Sequence, residues 1–148
     1  IRVSAVRDRF GKDNAEGISR SYDIIVDASD NIETRYFCND FCVSQGKTLI
    51  HGSIGEFNGN IMTIVPGSAC LRCVFPEAVM LKKSSDSGVV GAVPGIVGSI
   101  QAAEVIKVIV GAGEPLVNKL LTFNILTMDF MTIDVLKNPN CHCSKQWF

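Results

Sequence analysis

The chain contains no glycine-rich phosphate loop. Neither G-x-G-x-x-G nor a Walker-type sequence occurs in its 148 residues, so no segment is built to cradle a triphosphate on backbone amides at a helix N-terminus. There is no basic run with interleaved aromatics, and the formal net charge is only -1. Nucleic acid and membrane surfaces are therefore not expected partners. No convincing Ser-His-Asp set appears. The opening Ile1-Arg2-Val3 carries no Met and no signal-peptide pattern. It reads as a strand, so the chain is expected to begin inside a domain, and with no export signal the expected compartment is the cytoplasm. No internal repeat or linker divides the chain, and its length suits one domain spanning 1–148 rather than two. The longest apolar region, 88–110, is interrupted by Gln101, Glu104 and Lys107 on one helical face and holds Pro94 and several glycines. An amphipathic helix of a soluble domain is expected there in preference to a bilayer span.

What the chain does have is a globular composition, 47% hydrophobic and 20% charged. Residues 1–6 alternate apolar and polar side chains and predict a strand; 12–19 predict a short helix. Residues 22–28 form a nearly continuous apolar run of the kind found in parallel strands covered on both faces. Ser29-Asp30-Asn31 follows as a candidate cap for a helix over 32–45, which Gly46 closes. Strands are expected over 48–54 and 60–65, the two forming a hairpin, with loop over 66–87. A long helix from Pro94 to 110 and strands over 119–125 and 130–136 complete the pattern. Strand-helix-strand order at the front implies parallel pairing with a right-handed crossover. The fold class is α/β with a mixed parallel and antiparallel sheet.

Six cysteines are many for a chain of this size, and their spacing is informative. Cys70-x-x-Cys73 and Cys141-x-Cys143 are two close pairs separated by a long span. Zinc needs four ligands in a tetrahedron, and two short chelate loops supply them; the alternative is two unrelated pairs of core or surface cysteines. One intervening residue makes a tight second chelate, and His142 offers a replacement for Cys141 or Cys143. Cys38 and Cys42 lie four apart on the predicted helix and read as core. His51, beside a buried-looking strand, reads as an ordinary core or loop histidine.

The run Asp27-Ala28-Ser29-Asp30-Asn31 lies at the C-terminal end of a predicted parallel strand, where open α/β sheets bind ligands. A carboxylate there can hold Mg²⁺, and Arg35 nearby can neutralise phosphate charge. Alternatively Asp30 caps the helix and Arg35 decorates its solvated face.

Taken in order, these residues resemble the ThiF/MoeB/HesA family, relatives of the ubiquitin-activating enzymes. The resemblance runs through residues 22–31 with Thr34-Arg35, Asn39-Asp40, Gly46-Lys47 and Gly52-Ser53. It continues through the Cys70/Cys73 pair, Phe75-Pro76-Glu77, and 88–98 leading into Gln101-Ala102 and 104–107. It implies a Rossmann-like fold of which this chain is the C-terminal part, the nucleotide-binding N-terminal half preceding Ile1. It also implies ATP- and Mg²⁺-dependent adenylation of the C-terminal Gly-Gly carboxylate of a ubiquitin-like sulfur carrier (ThiS/MoaD type) in thiamine or molybdopterin biosynthesis. Asp30 matches the family's Mg²⁺ and nucleotide carboxylate, Asn31 its neighbour at the ATP site, and Arg35 an arginine beside it. Cys70, Cys73, Cys141 and Cys143 match structural zinc ligands, although the family's second pair usually has two intervening residues. Members are commonly homodimers.

Two departures qualify the resemblance. Without the glycine-rich loop this chain is expected to be inactive alone. Some members carry a cysteine in the loop before the Gly88-Val89-Val90 segment, able to bond covalently to the carrier. Here the stretch is Lys82-Lys83-Ser84-Ser85-Asp86-Ser87, and Ser84, the nearest match, is far less nucleophilic than a thiolate. Adenylation without a covalent carrier intermediate is expected, with this loop as a candidate cover for the carrier's tail. The competing reading is a non-catalytic, zinc-stabilised carrier-binding module, or one half of a split enzyme.

Overall fold

The computed structural model describes residues 1–76 and 88–144. In chain order the elements are α1 (Ala15–Ser19), β1 (Ile24–Asp27), α2 (Ile32–Gln45), β2 (Thr48–Ile54), β3 (Asn58–Ile64), α3 (Leu71–Val74), α4 (Ala92–Val110), β4 (Lys119–Asn124) and β5 (Asp129–Asp134). A 3₁₀ turn follows at His142–Ser144. The strands make one sheet in the order β1-β2-β3-β4-β5, with β1 parallel to β2 and every other pair antiparallel. This is the mixed sheet expected, parallel at the front and antiparallel in the back half. Glu77 and the 82–87 loop, including Ser84, lie outside the described residues.

Local chemistry accounts for α2 at both ends. Asn31 sits in extended backbone and its side-chain oxygen accepts from the Thr34 N–H at 2.8 Å, satisfying one of the free donors of the first turn. Gly46, at φ 63°, takes the left-handed conformation and donates its N–H to Cys42 O, a stop that a side chain would strain. Capping thus falls to Asn31, leaving Asp30 free of that duty.

The sheet is covered on both faces. On one, α2 packs Cys38 and Cys42 against Leu49, Met62, Ile64 and Leu120. Burial raises these two thiols to about 11 and about 12, so they are inert packing groups. On the other face, Val93 and Val97 of α4 pack against Ile61 and Phe123.

Helix α4 corrects the simple amphipathic expectation. Gln101, Glu104 and Lys107 do share a side, but Gln101 and Glu104 are buried against the sheet while Ile106, Ile109 and Val110 are exposed. By length and hydropathy α4 could cross a bilayer; here it is tied to the sheet by polar groups. Gln101 Nε2 donates to Asp27 O at 2.8 Å and to Ile50 O at 3.2 Å. Glu104 accepts from Thr63 Oγ1 at 2.5 Å and from Leu116 N–H at 2.7 Å, and pairs with Lys107.

Two further expectations change. Residues 1–6 form no strand and are exposed: alternation alone does not make a strand without a neighbour to complete its hydrogen bonds. The expected loop after Pro66 contains the single turn of α3.

Close approach of α4 depends on glycine. A Cβ on Gly52 would stand 2.5 Å from Gln101 Cδ and Nε2. Gly52→Ala should therefore displace the Gln101 amide from both strand carbonyls, costing about 2–3 kcal/mol. Urea unfolding measures this; a loss below about 0.5 kcal/mol would show that the helix shifts freely over the sheet.

Candidate functional site

Two groups of side chains stand out, and both rest against α2. The first begins where β1 ends. Asp27, the last residue of β1, is paired in register with His51 of β2, and both side chains are buried. Asp27 Oδ1 accepts from Ser29 N–H at 3.0 Å and Ser29 Oγ–H at 2.6 Å. Asp27 Oδ2 lies 3.1 Å from His51 Nδ1 and 3.6 Å from Arg35 Nε. Because the carboxylate can only accept, Nδ1 carries the imidazole proton.

The electrostatics follow from this packing. Burial alone would raise the Asp27 carboxyl, but hydrogen bonds from His51 and Ser29 outweigh it and hold it below the usual carboxylate value. Burial pushes His51 below the ordinary imidazole value, and Arg35 reinforces the effect against the opposing pull of Asp27. The pair is thus a carboxylate and a neutral imidazole, with the Arg35 guanidinium supplying the compensating charge.

The predicted residues fall around this core. Asp30 and Asn31 are exposed at the mouth between β1 and α2, and Asn31 Nδ2 donates to Asp30 Oδ1 at 3.2 Å. Arg35 is turned inward with only 13% of its side chain exposed, and its Nη2 donates to Ser29 O at 2.8 Å. It belongs to the frame of the loop and not to a solvated helix face. Beside the mouth an open groove of about 370 Å³ runs along the β1 edge, lined by apolar side chains including Ile18, Tyr22, Ile24 and Val26.

The reading of His51 as a plain core histidine missed its partner. Only the observed register, with Ile24 opposite Thr48, sets Asp27 beside His51; the predicted strand bounds alone do not give it.

The second group is the cysteine cluster. The Sγ atoms of Cys70, Cys73, Cys141 and Cys143 all lie within 4.8 Å of one another. The closer separations are 4.0 Å for Cys70–Cys73, 3.6 Å for Cys70–Cys141 and 3.4 Å for Cys73–Cys143. Four sulfurs around a tetrahedral Zn²⁺ at the usual bond length stand about 3.8 Å apart, so the donor set fits that ion in number, kind and spacing. His142 is outside the four-residue group, and the single-residue spacing of the second pair is accommodated by the 3₁₀ turn that carries it.

Helix α2 presents the first pair. Asn39 Oδ1 accepts from Leu71 N–H at 2.9 Å, and Arg72 forms a two-pronged pair with Asp40 at 2.7 Å for each bond. The Arg72 guanidinium stacks 4.4 Å over the Tyr36 ring, whose hydroxyl donates to Phe75 O at 2.6 Å. Burial raises the Cys143 thiol to about 11 and pushes Cys70 up as well. At Cys73 burial also acts upward, but backbone hydrogen bonds at Cys70 and Asn138 reverse it. Metal binding here must release protons and is weakened by acid.

Comparison with known proteins identifies the family and the fold. The chain is 40% identical over 144 residues to the "SAMP-activating enzyme E1" of Haloferax volcanii, covering 95% of this chain and 53% of that protein. It is 39% identical over 150 residues to the "Sulfur carrier protein adenylyltransferase" of Thermus thermophilus, covering 95% and 55%. The chain thus spans about half the length of these relatives. Among solved structures, E. coli MccB with ATP superposes with a TM-score of 0.80 at 20% identity, covering 98% of this chain and 46% of MccB, which is a likeness of fold. The ThiF family pattern matches residues 1–145, and the chain belongs to the ThiF family.

Proposed function

We propose that this chain forms the C-terminal part of an adenylyltransferase acting on the C-terminal carboxylate of a ubiquitin-like sulfur carrier. The observation that carries the reading is the position of Asp30: an exposed carboxylate at the C-terminal end of a parallel strand, on the loop leading into α2. The names of the relatives supply the reaction class. In that reaction a carrier carboxylate oxygen bonds to the α-phosphorus of ATP. The bond from that phosphorus to the oxygen bridging to the β-phosphate breaks, and pyrophosphate leaves with the electron pair.

The residues divide the work. Asp30 offers a carboxylate, a hard donor suited to Mg²⁺, and Asn31 stands beside it at the nucleotide site while its Oδ1 caps α2. The ion, when bound, offsets the negative charge that gathers on the phosphate oxygens during displacement. Arg35 contributes through the loop, since its Nη2 is engaged by Ser29 O. The glycine-rich loop that would hold the phosphates is not in this sequence. The chain alone is therefore expected to lack activity.

The cysteine cluster is proposed as a structural Zn²⁺ site. All four positions of a tetrahedron are taken by thiolates, leaving none open for substrate. Its effect is to fasten the segment after β5 to α3 and so to α2.

In the full-length gene product, Asp30→Ala should lower carrier-dependent ATP–pyrophosphate exchange by about 100-fold or more, with the carrier's own binding little changed. Exchange within threefold of wild type would remove Asp30 from the site.

Elemental analysis should find one zinc per chain. Stripping it with a strong chelator, or replacing Cys73 by Ser, should lower Tm by roughly 10 °C or more. A metal-free preparation that melts with the untreated protein would reduce the cluster to packed thiols.

A further inference from the structure

A carboxylate at the end of a buried strand is costly, and Asp27 is wholly enclosed, with 0% of its side chain exposed. An apolar residue would fill the position without that cost. What the carboxylate does instead is fix three residues of backbone. Its Oδ1 takes both the N–H and the hydroxyl of Ser29, bending the chain sharply as it leaves β1. From the helix side, Arg35 Nη2 holds Ser29 O. From beneath, Gln101 holds Asp27 O. His51 Nδ1, from β2, meets the remaining carboxylate oxygen.

The loop from Ala28 to Asn31 is thus gripped from four elements, yet Asp30 itself is exposed and takes only the Asn31 amide as a side-chain neighbour. The grip is on Asp27 and Ser29, immediately before the exposed Asp30.

We infer that Asp27 and His51 are positioning residues for Asp30, holding its loop in the geometry the adenylation step requires. The inference rests on the function proposed above. Neither residue touches substrate. His51 donates to the Asp27 carboxylate and keeps its second oxygen turned away from the loop, so that the first serves Ser29 alone. Misplacing a reacting or metal-holding group by about 1 Å can cost roughly 100-fold in rate, and that is the scale on which loss of this pair is felt.

The test compares three variants of the full-length gene product. His51→Leu removes the donor at similar volume. His51→Asn restores an N–H at the place of Nδ1. Ser29→Ala deletes the hydroxyl contact on the partly exposed side and is the variant least apt to disturb folding. Exchange is measured well below the melting temperature of each protein, and crystal structures of the variants record the Ser29–Asn31 backbone.

The expected results are a tenfold or greater fall in kcat/KM for Mg-ATP in His51→Leu, an unchanged carrier KM, and recovery to within about threefold in His51→Asn. Ser29→Ala should lose at least threefold, and the loop should be displaced in His51→Leu but not in His51→Asn. A His51→Asn protein as impaired as His51→Leu would point to bulk packing and overturn the inference. So would wild-type rates in both His51→Leu and Ser29→Ala. If His51→Leu does not fold, Ser29→Ala decides the matter: wild-type exchange with an undisplaced loop overturns the inference, and a threefold or greater loss with a displaced loop supports it. Should the wild-type protein exchange with no carrier, the proposed function fails, while the crystal structures still report whether His51 governs the loop.

Discussion

Gln101 places one amide nitrogen between the carbonyl oxygens of Asp27 and Ile50, the first at the end of β1 and the second within β2. The helix that carries it is mostly apolar, and an apolar surface alone allows sliding and rotation. A buried amide does not, because leaving it unpaired costs about 1–3 kcal/mol. Glu104, one turn further on, does the same against Thr63 and the Leu116 amide. With two polar anchors on a bare floor at Gly52, α4 has one rotation and one height over the sheet. The strand end from which the Asp30 loop departs is therefore held from below before α2 and the loop itself are considered.

That arrangement also explains where apolar surface is left. Turning Gln101 and Glu104 inward turns Ile106, Ile109 and Val110 outward, and Val26 of β1 is exposed as well. Strand β1 has β2 on one side and no strand on the other among the described residues. An open edge and an apolar flank are ordinary liabilities of an isolated sheet. They occur here in a chain that spans about half the length of its relatives.

The sequence was most legible where local chemistry decides structure. Asn31 and Gly46 bracket α2 at the residues expected, because a cap and a left-handed glycine act within one turn. The parallel strand within 22–28 was legible from its apolar run, and the four-cysteine set from its two close pairs, although the tight second pair left His142 as an alternative. Legibility failed where the outcome depends on a neighbour. Residues 1–6 have the alternation of a strand and no ladder to join. Gln101 and Glu104 look like a solvated face until the sheet beneath supplies acceptors and donors. His51 looked like filler because its partner is 24 positions away and becomes adjacent only through the parallel register of β1 and β2. At the loop, Asp30 could be read as a metal carboxylate or as a helix cap; the cap is Asn31, and Arg35 proved to be an inward brace.

The same helix joins the two groups. The N-terminal turns of α2 carry Asn31 and Arg35 beside the exposed Asp30. The next turns carry Tyr36, Asn39 and Asp40, which hold Phe75, Leu71 and Arg72. Those contacts seat Cys70 and Cys73, and the two other cysteines arrive from about 70 residues later in the chain. Closing so long a loop costs little more than closing a short one, since the entropy grows only with the logarithm of length. A metal bound there would act on α2 as a whole, because α3 and the 3₁₀ turn both rest against that helix. The helix is held at its first turns by the Asp27 network and along its middle by the segment that carries Cys70 and Cys73. The Asp30 loop and the cysteine cluster therefore share α2 as a common support, the first through the Asn31 cap and the second through Asn39 and Asp40.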